Sequence, residues 1–84
     1  MRWNLKLNGE GYYWYEATLP RGRICDVECP HDGREWQARM YERQSCDGLL
    51  LATAPDADQC KERAIVALRK IGRREAAEWK RALR

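Results

Sequence analysis

Four cysteines and a single histidine are the first residues of this 84-residue chain to suggest site chemistry: Cys25, Cys29, Cys46, Cys60 and His31. The gap between Cys25 and Cys29 falls within the usual range for a zinc-ligand pair. On an extended strand, however, the two sulfurs would stand ~13 Å apart at ~3.3 Å per residue. That is too far for one tetrahedral ion with ~2.3 Å Zn–S bonds, and too far for a disulfide. Cys46 in a turn could meet Cys60 at a helix start, and spacing alone leaves that pairing open. Free cysteine packs as a small hydrophobe, so reduced, mostly buried thiols are expected, with no metal and no cofactor. His31 lies in a Pro30-His31-Asp32-Gly33 turn, two residues from Cys29. A Cys–His dyad would also need an orienting group, an oxyanion hole and a pocket, which a tight turn on a small domain does not offer. No Gly-x-Ser-x-Gly, P-loop, His-Glu-x-x-His or dinucleotide glycine pattern occurs, so no catalytic residues and no enzyme are expected.

The elements that would position any site follow from period and punctuation. Turn clusters stand at Asn8–Gly11, Pro20–Gly22, Pro30–Gly33 and Ser45–Gly48, each supplying residues that preset a turn or tolerate positive φ. Between them the apolar residues alternate: Trp3, Leu5 and Leu7; then Tyr13, Tyr15, Ala17 and Leu19; then Cys25, Val27 and Cys29; then Trp36, Ala38 and Met40. Leu49 to Thr53 is apolar on both faces. Alternating runs between evenly spaced turns predict four or five sequential antiparallel strands. At Pro55 the period changes. Asp56 is a candidate N-cap with Gln59 three residues on, as in a capping box, and Cys60, Ala64, Ala67, Leu68 and Ile71 then recur at helical spacing. Ala76, Trp79 and Leu83 continue the pattern beyond Gly72, as one bent helix or as two. The expected fold is one α+β domain over residues 1–84: an antiparallel meander over 1–54, then a helical segment over 56–84 packed on one face, bent or split near Gly72.

Charge divides along the same line. The whole chain carries 16 Lys and Arg against 13 Asp and Glu, a net +3. Residues 1–60 hold seven basic and ten acidic groups, net −3, and residues 61–84 hold nine and three, net +6. The basic end (Arg69, Lys70, Arg73, Arg74, Lys80, Arg81) is one candidate surface, suited to phosphate contact. The other is the sheet face turned away from the helix, on which period two places Tyr12, Trp14, Ile24, Arg39, Tyr41 and Arg43. Trp, Tyr and Arg are the types enriched in interface hot spots. Glu16, Asp26 and Glu28 share that face, and the alternative to an interface is ordinary cross-strand pairing, such as Arg39 near Asp26, with exposed aromatics covering a thin sheet. Mixed charge with aromatics fits a protein partner better than a phosphate backbone. Contacts are therefore expected from Tyr12, Trp14, Arg39, Tyr41 and Arg43, with the basic helix steering approach to an acidic or nucleic-acid-containing target.

The run Trp36-Gln37-Ala38-Arg39-Met40-Tyr41, then Gly48-Leu49-Leu50-Leu51-Ala52-Thr53-Ala54, then Asp58–Ala64 resembles small phage and prophage proteins with a strand–turn–strand–helix layout. That group includes anti-CRISPR proteins, and the resemblance implies a non-enzymatic protein that binds and inhibits host nucleic-acid machinery. A related layout of three strands and a helix occurs in the arm-type DNA-binding domains of phage integrases, which read the major groove with the sheet. The alternative to a protein partner is direct DNA or RNA binding through the basic residues Arg69, Lys70, Arg73, Arg74, Lys80 and Arg81. A host protein or nucleoprotein complex is then the expected partner, in the host cytoplasm. The N-terminus lacks the apolar core of a secretory signal. No run approaches the ~18 apolar residues of a membrane span, so no membrane association is expected.

Overall fold

A computed structural model describes residues 1–30, 33, 35–42 and 47–73. Five strands form a single sheet in sequence order: β1 (Asn4–Leu7), β2 (Tyr13–Thr18), β3 (Ile24–Glu28), β4 (Trp36–Tyr41) and β5 (Leu49–Ala54). Every neighbouring pair is antiparallel. One helix follows, α1 (Ala57–Gly72), and lies across β5, β4 and β3. The expected meander and helix are both present. α1 runs without a break through Gly72, and Arg73 still has helical torsions, φ −57° and ψ −30°. The expected bend and the Ala76–Trp79–Leu83 continuation lie outside the described residues.

The hairpins form where the sequence punctuates. Between β1 and β2 the Asn8 side-chain oxygen accepts from the backbone N–H of Glu10 (2.9 Å) and Tyr12 (3.0 Å), while Gly11 takes a φ of 85°. A short polar side chain thus closes the turn that aims Tyr12 onto the sheet. Between β2 and β3 a 3-10 turn at Pro20–Gly22 places Arg21 at φ 64°.

Register decides the two faces. Tyr15, Val27, Ala38 and Ala52 align across four strands, as do Ala17, Cys25, Met40 and Leu49. These rows point to α1, whose Cys60, Ala64 and Leu68 are fully buried at a four-residue spacing. Alanine and cysteine on both sides let the helix backbone approach the sheet closely. Cys25 and Cys60 sit in this core as free thiols, so Cys60 is not disulfide-bonded; Cys46 lies outside the described residues. Burial pushes the Cys25 thiol up to about 12 and the Cys60 thiol up to about 11, which keeps both protonated and chemically quiet.

The helix does not extend over β1 and the start of β2. There Lys61 Nζ stands 3.5 Å from the Tyr15 ring centroid and 6.0 Å from that of Trp3. Tyr13, Tyr15 and Trp36 meet with centroids 6.0–6.2 Å apart. Trp3 packs against the edge of the core, whereas Leu5 and Leu7 share this side yet remain 63% and 68% exposed. The reason is reach: β1 is an edge strand beyond the helix. At the opposite edge, a register shift between Ala38 and Arg39 skips Leu51, and Leu49 and Leu50 stay about half exposed.

Asp56 caps α1 as expected. Its carboxylate accepts from the Gln59 backbone N–H and from the Gln59 side-chain amide, both at 2.8 Å. The Gln59 amide thus returns to the Asp56 carboxylate, where a full capping box would use the Asp56 backbone N–H. Asp56→Ala is expected to cost about 1 kcal/mol, read as a lower urea midpoint at unchanged slope.

Candidate functional site

With α1 on one face, no described element covers the other. Reading across that open face, Glu16, Asp26, Arg39 and Leu50 form one row, and Trp14, Glu28, Gln37 and Thr53 the next. Tyr41 stands opposite Ile24, and on the β1 side Lys6 stands opposite Trp14. Tyr12, Trp14, Arg39 and Tyr41, four of the five expected contact residues, therefore lie on one surface. Arg43 lies outside the described residues.

The aromatic residues are held in place. The Tyr12 hydroxyl lies 2.9 Å from the Cys29 carbonyl and 3.2 Å from Glu28 Oε2, and the Tyr12 and Trp14 ring centroids are 6.2 Å apart. Burial, then the charge and hydrogen bond of Glu28, push the Tyr12 phenol up to about 12, so it stays a donor. Tyr41 packs on the backbone of Gly48, where an added Cβ would come within 2.7 Å of the ring. Burial, followed by the charges of Glu28 and Asp26, raises the Tyr41 phenol, with Arg39 acting in the opposite sense.

Arg39 does lie next to Asp26 across the strands, but no ion pair joins the two side chains. The two residues are directly opposite in register, but the Arg39 guanidinium donates to the Gly48 carbonyl, Nη1 to O 3.2 Å. A long side chain bordering a turn reaches several acceptors, and the turn carbonyl takes it. Asp26 is left facing Glu16 directly across β2 and Glu28 two residues along β3. Asp26 Oδ1 is buried and accepts no hydrogen bond from a described residue. Burial, with Glu16 and Glu28 adding to it, raises the Asp26 carboxyl from 3.8 to about 6.

That shift has a definite sign for stability. Between 3.8 and about 6 the folded protein holds a proton on Asp26 that the unfolded chain has released. This group's contribution therefore becomes unfavourable as pH rises through that window. Asp26→Asn is expected to raise the melting temperature at neutral pH, by about 1 kcal/mol of stability once solvent screening of a half-buried group is allowed for. The gain should disappear below the window, and melts across the pH range test this.

From the sequence, Glu16, Asp26 and Glu28 read only as the negative part of a mixed-charge face. Their adjacency depends on strand register, and alternation hints at it only weakly. Gly48 likewise reads as a turn residue, whereas it seats Tyr41 and holds Arg39. On the basic surface, Arg69, Lys70 and Arg73 are exposed at the C-terminal end of α1, where cations also complement the helix dipole. Arg74, Lys80 and Arg81 lie outside the described residues, as does His31. Among the described residues no group of three His, Cys, Asp or Glu converges on a metal-sized site, and no helix is long and apolar enough to cross a membrane. Comparison with protein-family models, curated proteins and solved structures returns no match for this chain.

Proposed function

We propose that this protein is a non-enzymatic recognition module that captures a protein, or the protein part of a nucleoprotein assembly, on the open face of its sheet. Tyr12, Trp14, Arg39 and Tyr41 make the contact, joined by Arg43, and the basic end of α1 steers the encounter. The supporting observation is an aromatic and charged layer fixed by its own hydrogen bonds and left uncovered by the helix. Rigid Tyr and Trp side chains lose little entropy on binding, so such a layer is prepared for association. Its carboxylates disfavour a phosphate backbone at the same place.

Capture from a bacterial lysate, with and without nuclease, tests the reading. Trp14→Ala should abolish capture of a nuclease-resistant partner while leaving the melting temperature nearly unchanged. Capture that vanishes with nuclease, or that survives Trp14→Ala, would instead assign binding to nucleic acid through Arg69, Lys70 and Arg73, or to another surface. A large loss of melting temperature would make Trp14 a structural residue.

A further inference from the structure

Two carboxylates face each other directly across antiparallel strands in the middle of the open face, Glu16 on β2 and Asp26 on β3. A third, Glu28, stands about 7 Å along β3 on the same side. Like charges directly opposite are destabilising, whereas a cation opposite a carboxylate would be stabilising. The cation that register does supply, Arg39, donates to the Gly48 carbonyl. Lys6 on β1 stands opposite Trp14, two strands over from Asp26 and two residues along. Asp26 Oδ1 is buried and takes no hydrogen bond from a described residue. The Trp14 ring lies beside this row, opposite Glu28, with Tyr12 packed against it.

We propose that this face binds a basic segment of its protein partner, with an arginine of that segment taking the carboxylates of Glu16, Asp26 and Glu28 while its guanidinium plane lies on Trp14. The inference rests on the protein-recognition reading above and names the chemistry of the partner. Charge complementarity selects a cationic occupant. The separation of the three carboxylates selects its size: they do not converge on a metal-sized point, whereas a planar guanidinium has five donors and can bridge several oxygens. An aromatic ring beside the carboxylates favours arginine over lysine, because guanidinium both stacks and pairs. The arrangement costs the free protein stability and is relieved when the cation arrives.

This predicts opposite changes in stability and binding for one substitution. Asp26→Asn should make the free protein more stable at neutral pH and bind more weakly, a combination that a merely structural carboxylate does not produce. The probe is a short peptide carrying arginine between glycine and serine, followed through amide shifts of the intact protein. Control peptides have citrulline or lysine in place of arginine. The arginine peptide should shift amides of β2, β3 and β4, and citrulline should lose about tenfold or more in affinity. Asp26→Asn and Glu16→Gln should each lose a comparable factor. Affinity should also fall as pH drops through about 6, where Asp26, with Glu16 and Glu28 beside it, Arg39 opposite and Tyr41 near, takes up its proton.

Equal binding of the arginine and citrulline peptides, or unchanged binding by Asp26→Asn, would overturn the proposal. So would self-association that disappears in Asp26→Asn, because that result would give the face to a second copy. If Trp14→Ala abolishes lysate capture while Asp26→Asn and Glu16→Gln leave it intact, the recognition face stands and the basic-segment proposal falls. If capture survives Trp14→Ala, both fall.

Discussion

Leu68→Ala is expected to remove about 3 kcal/mol of stability and to lower the melting temperature by roughly 12–24 °C in a domain of this size. The magnitude follows from how thin the core is. Its fully buried positions are mostly alanine and cysteine, and Leu68 heads the short set of larger fully buried side chains with Val27, Cys25 and Cys60. Leu68 fills the space between α1 and the sheet that Ala64 and Cys60 leave beside them. Truncation opens a cavity that neighbouring alanines have no side chain to refill, so the transfer loss and the cavity loss add. Small domains have only about 5 kcal/mol or a little more in hand, so the variant should be close to half unfolded at mildly elevated temperature. Val66→Ala is the control on the same helix, because Val66 is 52% exposed, and its effect should stay within about 0.5 kcal/mol. Urea melts followed by circular dichroism separate the two. A small loss at Leu68 would mean that α1 does not carry the core.

Gly48→Ala should change sign with its background. Replacing glycine by alanine at ordinary torsions stabilises by ~0.4–1 kcal/mol through the unfolded chain, and Gly48 is not among the positive-φ residues. Here the new Cβ would lie 2.7 Å from Cε1 and Cζ of Tyr41 and 3.1 Å from the Arg39 Cβ. The Tyr41 ring must leave its seat, at a cost of about 1–3 kcal/mol that outweighs the entropic gain. In a Tyr41→Ala background the obstacle is gone, and the same substitution should become neutral or stabilising. A double-mutant cycle reads this coupling directly. The same displacement moves Tyr41 and disturbs Arg39 on the open face, so partner capture should weaken in Gly48→Ala beyond what its stability loss explains. Additive effects of the two substitutions would show that the ring and the glycine do not touch.

Much of the architecture was legible in the residues, for local reasons. Tyr13–Tyr15–Ala17 and Trp36–Ala38–Met40 alternate, and each set turned to one face. Asp56 with Gln59 marked the helix start. What was not legible depends on relations between elements. Nothing local says that α1 stops short of β1, so the alternation of Leu5 and Leu7 marks a strand without showing that both leucines stay exposed. Leu49 to Leu51 reads as uniformly apolar, and the bulge at Leu51 depends on how β5 meets β4. On the open face, the residue types of Tyr12, Trp14, Arg39 and Tyr41 announced a surface. The juxtaposition of Glu16 with Asp26 needed register, and the choice of Arg39 between Asp26 and Gly48 needed the turn to be in place.

The order of the strands bears on how quickly the molecule assembles. Each strand pairs with its immediate neighbour in the chain, and no connection between paired strands exceeds seven residues. Closing so short a loop loses little chain entropy, so each ladder can form soon after its two strands exist. Sheets built by remote pairing are slow because long loops must close before any contact rewards them. This sheet avoids that delay and can grow hairpin by hairpin from its N-terminal edge. The helix begins two residues after β5 and packs chiefly on it, so only its contacts with β4 and β3 close over a longer separation. The face proposed for recognition, which spans β2, β3 and β4 with Tyr12 from the turn before β2, would then be in register once two neighbouring hairpins have closed.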